Sequence, residues 1–435
     1  MYTVSTKGGT ATRIVEHPHI EHPSILDTPN GRRAFLYQTA EPGQPPPTHG
    51  IYVQLAGEQR RLIRMSASSN PYPVYSPTGH IVYVDGVRDS TAIWAMPFSL
   101  EKLQATGEPF VIAQHGSSPV VSLTGTLVYS DVPSDRQQLA WVDRSGARLG
   151  TIGDAQRQGD PLLSGDGHKL AVEVSEGDAD IWVFDLERGV KSRLTFDSAL
   201  ERPGAWTPSG DEVTYASNRT GSFHIYSKML DGKSESRQLV GTAVQDLAPD
   251  WSPDGKFLIY AAVSTETRSD LLYRERRGDG SLGDAAIFLK TPFDETAARF
   301  SPDGRFVVYQ SDESGKNEIY VRDFPNGTHT LQISSNGGTA PRWRRDGKEI
   351  VYVEERKLMA VSVMRGSAFS PGAPVRLFDK RSLLAANPQY DVSADGKRFV
   401  ILDRPIDEQP LSIHVVHNWF EEFRGGHDGQ SGQSH

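Results

Sequence analysis

Apolar and polar residues alternate along most of this chain in short runs, and the runs come in pairs around a recurring tight turn. Asp250-Trp251-Ser252-Pro253-Asp254-Gly255-Lys256-Phe257-Leu258-Ile259-Tyr260 returns as Arg299-Phe300-Ser301-Pro302-Asp303-Gly304-Arg305-Phe306-Val307-Val308-Tyr309. A third copy is altered but legible: Arg342-Trp343-Arg344-Arg345-Asp346-Gly347-Lys348-Glu349-Ile350-Val351-Tyr352. Proline presets φ at the second turn position and glycine accepts the positive φ that follows. The β-branched and aromatic run behind the turn reads as a strand, so each unit predicts a hairpin.

Nine copies of the turn are marked by Gly31, Gly79, Gly125, Gly167, Gly210, Gly255, Gly304, Gly347 and Gly396, spaced 42 to 49 residues apart. That spacing suits a four-stranded propeller blade with loop insertions. A third strand alternates around an aromatic, as in Ile181-Trp182-Val183-Phe184 and Ile319-Tyr320-Val321, and a fourth follows a glycine turn. The expected fold is therefore all-β, a β-propeller of four-stranded blades. Two closures are open. The last six copies can form a six-bladed ring (131–423), with Leu139 to Val142 and Arg148 to Ile152 completing the blade begun by the C-terminal pair. Residues 1–130 are then a partial propeller of three copies. The alternative is one larger ring. Residues 424–435, rich in Gly, Ser, Gln and His, read as a disordered tail, and Glu41 to Thr48 as an exposed proline-rich loop.

Composition narrows the function classes. The net charge is −9 with no long basic block, which argues against a nucleic-acid partner. There is no cysteine, which excludes disulfides, thiolate catalysis and Cys-ligated zinc. No apolar run approaches the roughly 18 residues of a membrane span. Residues 1–10 lack the regions of a signal peptide and read like the middle of a repeat, so Met1 is a candidate truncation point.

The copies around Trp251 and Phe300, the hairpin Ser217-Asn218-Arg219-Thr220-Gly221 and the strand Glu318-Ile319-Tyr320-Val321 resemble the propeller repeat of TolB and its relatives. This resemblance extends over about residues 1–423 and speaks to fold more than to function. Leu139-Ala140-Trp141-Val142-Asp143-Arg144-Ser145-Gly146, Pro341 to Glu349 and Asn418-Trp419-Phe420-Glu421-Glu422 are similar to the C-terminal region of bacterial eukaryotic-like Ser/Thr protein kinases. In that family a kinase domain is joined through a membrane span to an extracytoplasmic TolB-like propeller. This sequence contains neither kinase domain nor span. The resemblance thus implies a sensor or binding part alone, periplasmic or otherwise extracytoplasmic, with a free-standing periplasmic TolB-like scaffold as the alternative.

Signatures of kinases, Walker-type loops and nucleophile elbows are missing from the sequence, so no catalysis and no cofactor are expected. A propeller lyase or hydrolase with a channel-mouth active site is the alternative from another class. Glu16-His17-Pro18-His19-Ile20-Glu21-His22-Pro23 gathers three imidazoles and two carboxylates, which are zinc-type ligands. Its two prolines and lack of a helix favour a loop with incidental histidines over a metal site. Binding is expected at the loops that lead into each inner strand and surround the channel mouth. These supply Glu201, Arg202, Asp246, Asp294, Glu295, Arg299 and Arg342, a mixture of carboxylates and arginines suited to a protein or peptide. Asn387-Pro388-Gln389 belongs to the same set of loops.

Overall fold

The turn that recurs in the sequence closes by the same hydrogen bonds in its two best copies. Gly255 N–H donates to Ser252 O and Ser252 N–H to Phe257 O, each at 2.8 Å. The Ser252 hydroxyl meets Asp254 at 2.5 Å and accepts from Phe257 N–H at 2.8 Å. Ser301 and Asp303 repeat this around Gly304. In the third copy Arg344 replaces the serine and grips Asp346 with two guanidinium nitrogens, both at 2.7 Å. All nine marker glycines lie at φ between +68° and +81°, where a side chain is disfavoured.

The computed structural model describes residues 2–3, 12–13, 20–40, 49–68, 70–86, 91–131, 136–175, 179–241, 244–264, 267–364, 369–384, 389–405 and 412–423. Among them there is no α-helix, only two short 3-10 turns, Arg381–Leu384 and Trp419–Phe423. The proline-rich insert, the tail and His17 and His19 lie outside the described residues. The chain divides into two compact units, one of Met1–Ser134 with Gln409–His435 and one of Asp135–Glu408.

The first unit contains a four-stranded sheet over Glu21–Ser66, a five-stranded sheet over Val74–Gln114, and a three-stranded sheet. In the last of these Leu127–Asp131 pairs with Ile413–Val416, Leu127 opposite Val416. Ile413–Val416 and Trp419 therefore group with this unit and not with the ring to which the sequence assigned 131–423 as a whole. Trp419 is buried beside Val82, Ile93 and Leu127.

The second unit is six antiparallel sheets in succession. Blades one to five are Gln158–Arg193, Glu201–Val240, Gln245–Leu289, Thr296–Gln332 and Thr339–Asp379. Blade six joins the two ends of the unit: Gln137–Asp143 and Arg148–Gln156 from the front, Tyr390–Val392 and Arg398–Asp403 from the back. Trp141 lies opposite Val400 and Ala140 opposite Ile401.

The core lies between blades. Ile259, Ala261 and Leu271 of blade three meet Phe300, Val307 and Tyr309 of blade four. Blade six packs on both sides, through Phe399 and Ile401 against Val351 and Leu358, and through Val400 and Leu402 against Leu170 and Val172. The tyrosine at the fourth position of the second strand in blades two to five (Tyr215, Tyr260, Tyr309 and Tyr352) is almost wholly buried. These rings fill the space between flat sheets, which is why the aromatic recurs at a fixed offset.

Candidate functional site

The six inner strands, which lead from the inter-blade loops to Trp206, Trp251, Phe300 and Trp343 in blades two to five and to Leu163 and Val392 in blades one and six, line the centre of the second unit. Asp160, Ala248, Ala297 and Ala340 occupy the same step of four of these strands, all at φ between +47° and +53°. Each sits where the pairing with the second strand slips register. A non-glycine residue in this left-handed region costs about 1–2 kcal/mol, so the bulge is held by the surrounding strands. It re-aims the residues on either side of it.

Before the bulge, Glu201, Asp246 and Glu295 are fully buried between blades. Their N–H groups donate to Ala179 O, Phe223 O and Ser269 O of the preceding blade at 2.8–2.9 Å. Glu201 is held by the Arg219 guanidinium, Asp246 by His224 Nδ1 at 3.0 Å, and Glu295 by the hydroxyls of Thr291 and Ser311. Burial pushes the Glu201 and Glu295 carboxyls above their ordinary range. Asp294 is at the outer rim, 3.6 Å from Arg268, and its N–H donates to Asp312. Of the seven residues singled out in the sequence, then, three lie in the seams and one on the outer rim.

The remaining three converge. Arg202, Arg299 and Arg342 line a central cavity of about 560 Å³, to which all six inner strands or their leading loops contribute, Gln389 supplying blade six. Its walls mix apolar residues, Leu162, Leu247, Pro249 and Leu383 among them, with polar ones that include Asp160, Gln310, Asn317 and Glu355. Arg202 is half-exposed at the mouth, 3.9 Å from Glu173. Arg299 and Arg342 lie deeper and also line a second cavity of about 380 Å³ beyond them. They form the waist of the channel.

Three carboxylates complete the waist, none of them picked out from the sequence. The last position but one of the inner strand reads Asp250, Arg299, Arg342 and Asp391 on blades three to six, two cations flanked by two anions. Aligning that one column of the repeat would have shown it. Arg299 approaches Asp250 at 3.8 Å and Arg342 approaches Asp391 at 3.5 Å. Both carboxylates are engaged by backbone instead: Asp250 accepts from Phe300 N–H and Asp391 from Leu163 N–H, each at 2.7 Å. Burial pushes both carboxyls up, against the pull of the arginines. Asp160, on the bulge of blade one, is buried with Oδ1 lacking a hydrogen bond. Burial first, then Glu173, pushes its carboxyl up to about 7.

This arrangement presents three arginines, with Asp160 and Glu355, in a cavity whose walls are part apolar and part polar, which is geometry for holding a ligand. Among the described residues there is no cluster of three His, Cys, Asp or Glu able to hold a metal. His22 packs on Tyr72, ring centres 4.3 Å apart.

Comparison with known proteins agrees with the architecture. Residues 155–281 match the family described as TolB beta propeller domain. An uncharacterized protein of Agrobacterium fabrum is 27% identical over 201 residues, 44% of this chain and 68% of that protein. The Tol-Pal system protein TolB of Francisella tularensis is 24% identical over 126 residues, 28% of this chain, and the match spans only 29% of the relative's own length. A solved structure assigned as a TolB of Agrobacterium tumefaciens superposes with a TM-score of 0.50 at 16% identity, over 62% of this chain and 99% of that one. The chain carries a TolB-like β-propeller domain.

Proposed function

We propose that this protein is a non-catalytic binding module that receives a segment of a protein or peptide at the loop-lined mouth of the six-bladed ring. The observation that carries this reading is the cavity itself: about 560 Å³, with Leu162, Leu247, Pro249 and Leu383 in its walls and Arg202, Arg299 and Arg342 lining the same space. Pockets that fix a ligand combine apolar walls with a few placed polar groups. Loops at the same end add exposed apolar side chains, Leu200 and Phe293, beside charged ones such as Asp294. Its place is extracytoplasmic, as the sensor part of a membrane Ser/Thr kinase, a reading supported by the three segments similar to that family.

A photocrosslinking residue tests the binding. Placed at Phe293 or Leu200 in cells it should trap a discrete partner that the same residue at Ile287, on the outer strand of blade three, does not. Equal trapping at both places would overturn the assignment. An immunoblot of fractionated cells with an antibody to the region of Trp419 tests the setting. A membrane band far above 47.9 kDa is expected for a sensor, whereas a soluble band at that mass would make the protein a free-standing scaffold.

A further inference from the structure

We propose that the group bound at the waist of the channel is a carboxylate, held between the guanidiniums of Arg299 and Arg342. This rests on the channel-mouth reading above and names the chemistry of its ligand. An arginine offers five N–H donors in a planar fork. Arg299 uses Nη1 on Pro249 O at 2.8 Å and Arg342 uses Nη1 on Pro341 O at 3.0 Å. Nε of each is buried without a hydrogen bond, and Arg342 is only 6% exposed. The nearby carboxylates meet these forks only as long ion pairs, Asp391 Oδ1 at 3.5 Å from Arg342 Nε and Asp250 Oδ1 at 3.8 Å from Arg299 Nη1, because both hydrogen-bond to backbone N–H groups instead.

Burial of a charge without full hydrogen bonding is costly, and two like charges in one waist add to it. The effect is visible at Arg299, where burial and then the Arg342 charge bring the guanidinium down to about 10. It remains a cation at neutral pH. An anion with two acceptor oxygens would engage the open donors and offset the repulsion at once, and carboxylates match the guanidinium fork in geometry. The volume of the cavity and its apolar residues Leu162, Leu247, Pro249 and Leu383 admit a side chain or a chain end along with the carboxylate.

Asp160 makes the site sensitive to pH. It faces the site from blade one, with Glu173 on its own blade and Arg202, Arg299 and Arg342 from blades two, four and five. As an anion it competes for the arginines, and as a neutral acid it does not. Carboxylate affinity should therefore rise severalfold as pH falls from 8 to 6, where the ligand itself stays ionised.

The test uses the full chain and three probes: the capped peptide acetyl-Gly-Gly-Glu-Gly-Gly-amide, its Gln counterpart, and glutarate. Titration calorimetry gives affinities, and the ¹⁵N-resolved Nε–H signals of Arg299 and Arg342 report the place. The Glu peptide should bind roughly tenfold or more tighter than the Gln peptide and move both signals, as charge-assisted hydrogen bonds predict. Preference for glutarate over the Glu peptide would mark a free acid as the source of the same group. Equal binding of Glu and Gln peptides, with glutarate leaving both signals unmoved, would overturn the proposal. A partner trapped at Phe293 in that event would leave the channel-mouth reading standing. Arg342→Gln should abolish the discrimination. Asp160→Asn, which leaves the arginines in place, should strengthen carboxylate binding at pH 8 and flatten its pH dependence, and an unchanged profile would count against the proposal.

Discussion

The N–H of Phe300 donates to Asp250 Oδ2 at 2.7 Å, so the carboxylate beside Arg299 ties the inner strand of blade three to that of blade four. The same position on blade six repeats the device, Asp391 accepting from Leu163 N–H of blade one. Side chains at the waist thus act as staples between blades, in addition to the backbone bonds by which Glu201, Asp246 and Glu295 hold the preceding blade.

Loss of one staple should be felt. Asp250→Ala strands the Phe300 N–H and leaves Arg299 without its counter-ion, a combination worth about 2–4 kcal/mol. Asp250→Asn keeps an acceptor and should cost less. Urea unfolding midpoints of the two variants give the comparison, and equal midpoints would mean that charge alone matters there.

Asp160 gives stability a pH dependence of determined sign. Its carboxyl ionises near 7 in the folded chain and near 3.8 when unperturbed. Between those values the unfolded chain has released the proton while the folded chain retains it. Stability from this group is whole below about 4, falls as pH rises, and levels off above 7. The total is at most about 4 kcal/mol. Asp160→Asn, which tolerates the same backbone, should raise the melting temperature at pH 8 and leave it unchanged at pH 4.

The hairpins were legible because Ser252-Pro253-Asp254-Gly255 and its copies state their own turn geometry. The blades followed from their spacing. The face on which each rim residue lies was not legible, because the inner strand does not keep its two-residue alternation. Trp251 and Asp246 are five apart yet both buried, since the left-handed step at Ala248 shifts the register between them. Counting along an unbroken strand sets Glu201 and Glu295 at the channel mouth, whereas the bulge turns them into the seams. Asp250, Asp391 and Asp160 escaped notice because each belongs to a different blade, and only closure of the ring brings them near Arg299 and Arg342.

That difference separates two neighbouring residues. Arg202 is 42% exposed and pairs weakly, so Arg202→Ala should shift stability by no more than about 0.5 kcal/mol. Glu201 is wholly buried on Arg219, and Arg219→Ala would leave an uncompensated carboxylate there. A cost of roughly 3–5 kcal/mol is expected. Thermal unfolding distinguishes them, and a large shift for Arg202→Ala would contradict its placement at the mouth.

Closure itself can be tested by removing the back half of blade six. Phe399, Val400, Ile401 and Leu402 are all fully buried, two facing blade five and two facing blade one. At about 1.5–3 kcal/mol for each side chain, their loss amounts to roughly 6–12 kcal/mol, comparable with the whole stability of an ordinary domain. It also strips the hydrogen-bonding partner from Gln137–Asp143 and opens the inner faces of Val351, Leu358, Leu170 and Val172 to water. Residues 135–408 expressed alone should unfold in a single cooperative transition. Residues 135–388 should instead lose near-ultraviolet circular dichroism and bind a hydrophobic dye. Ile401→Asp in the longer chain is the milder form, placing an unpaired charge between blades five and six, and should lower the midpoint steeply. A native spectrum for 135–388 would mean that five blades suffice without the strands that join the ends.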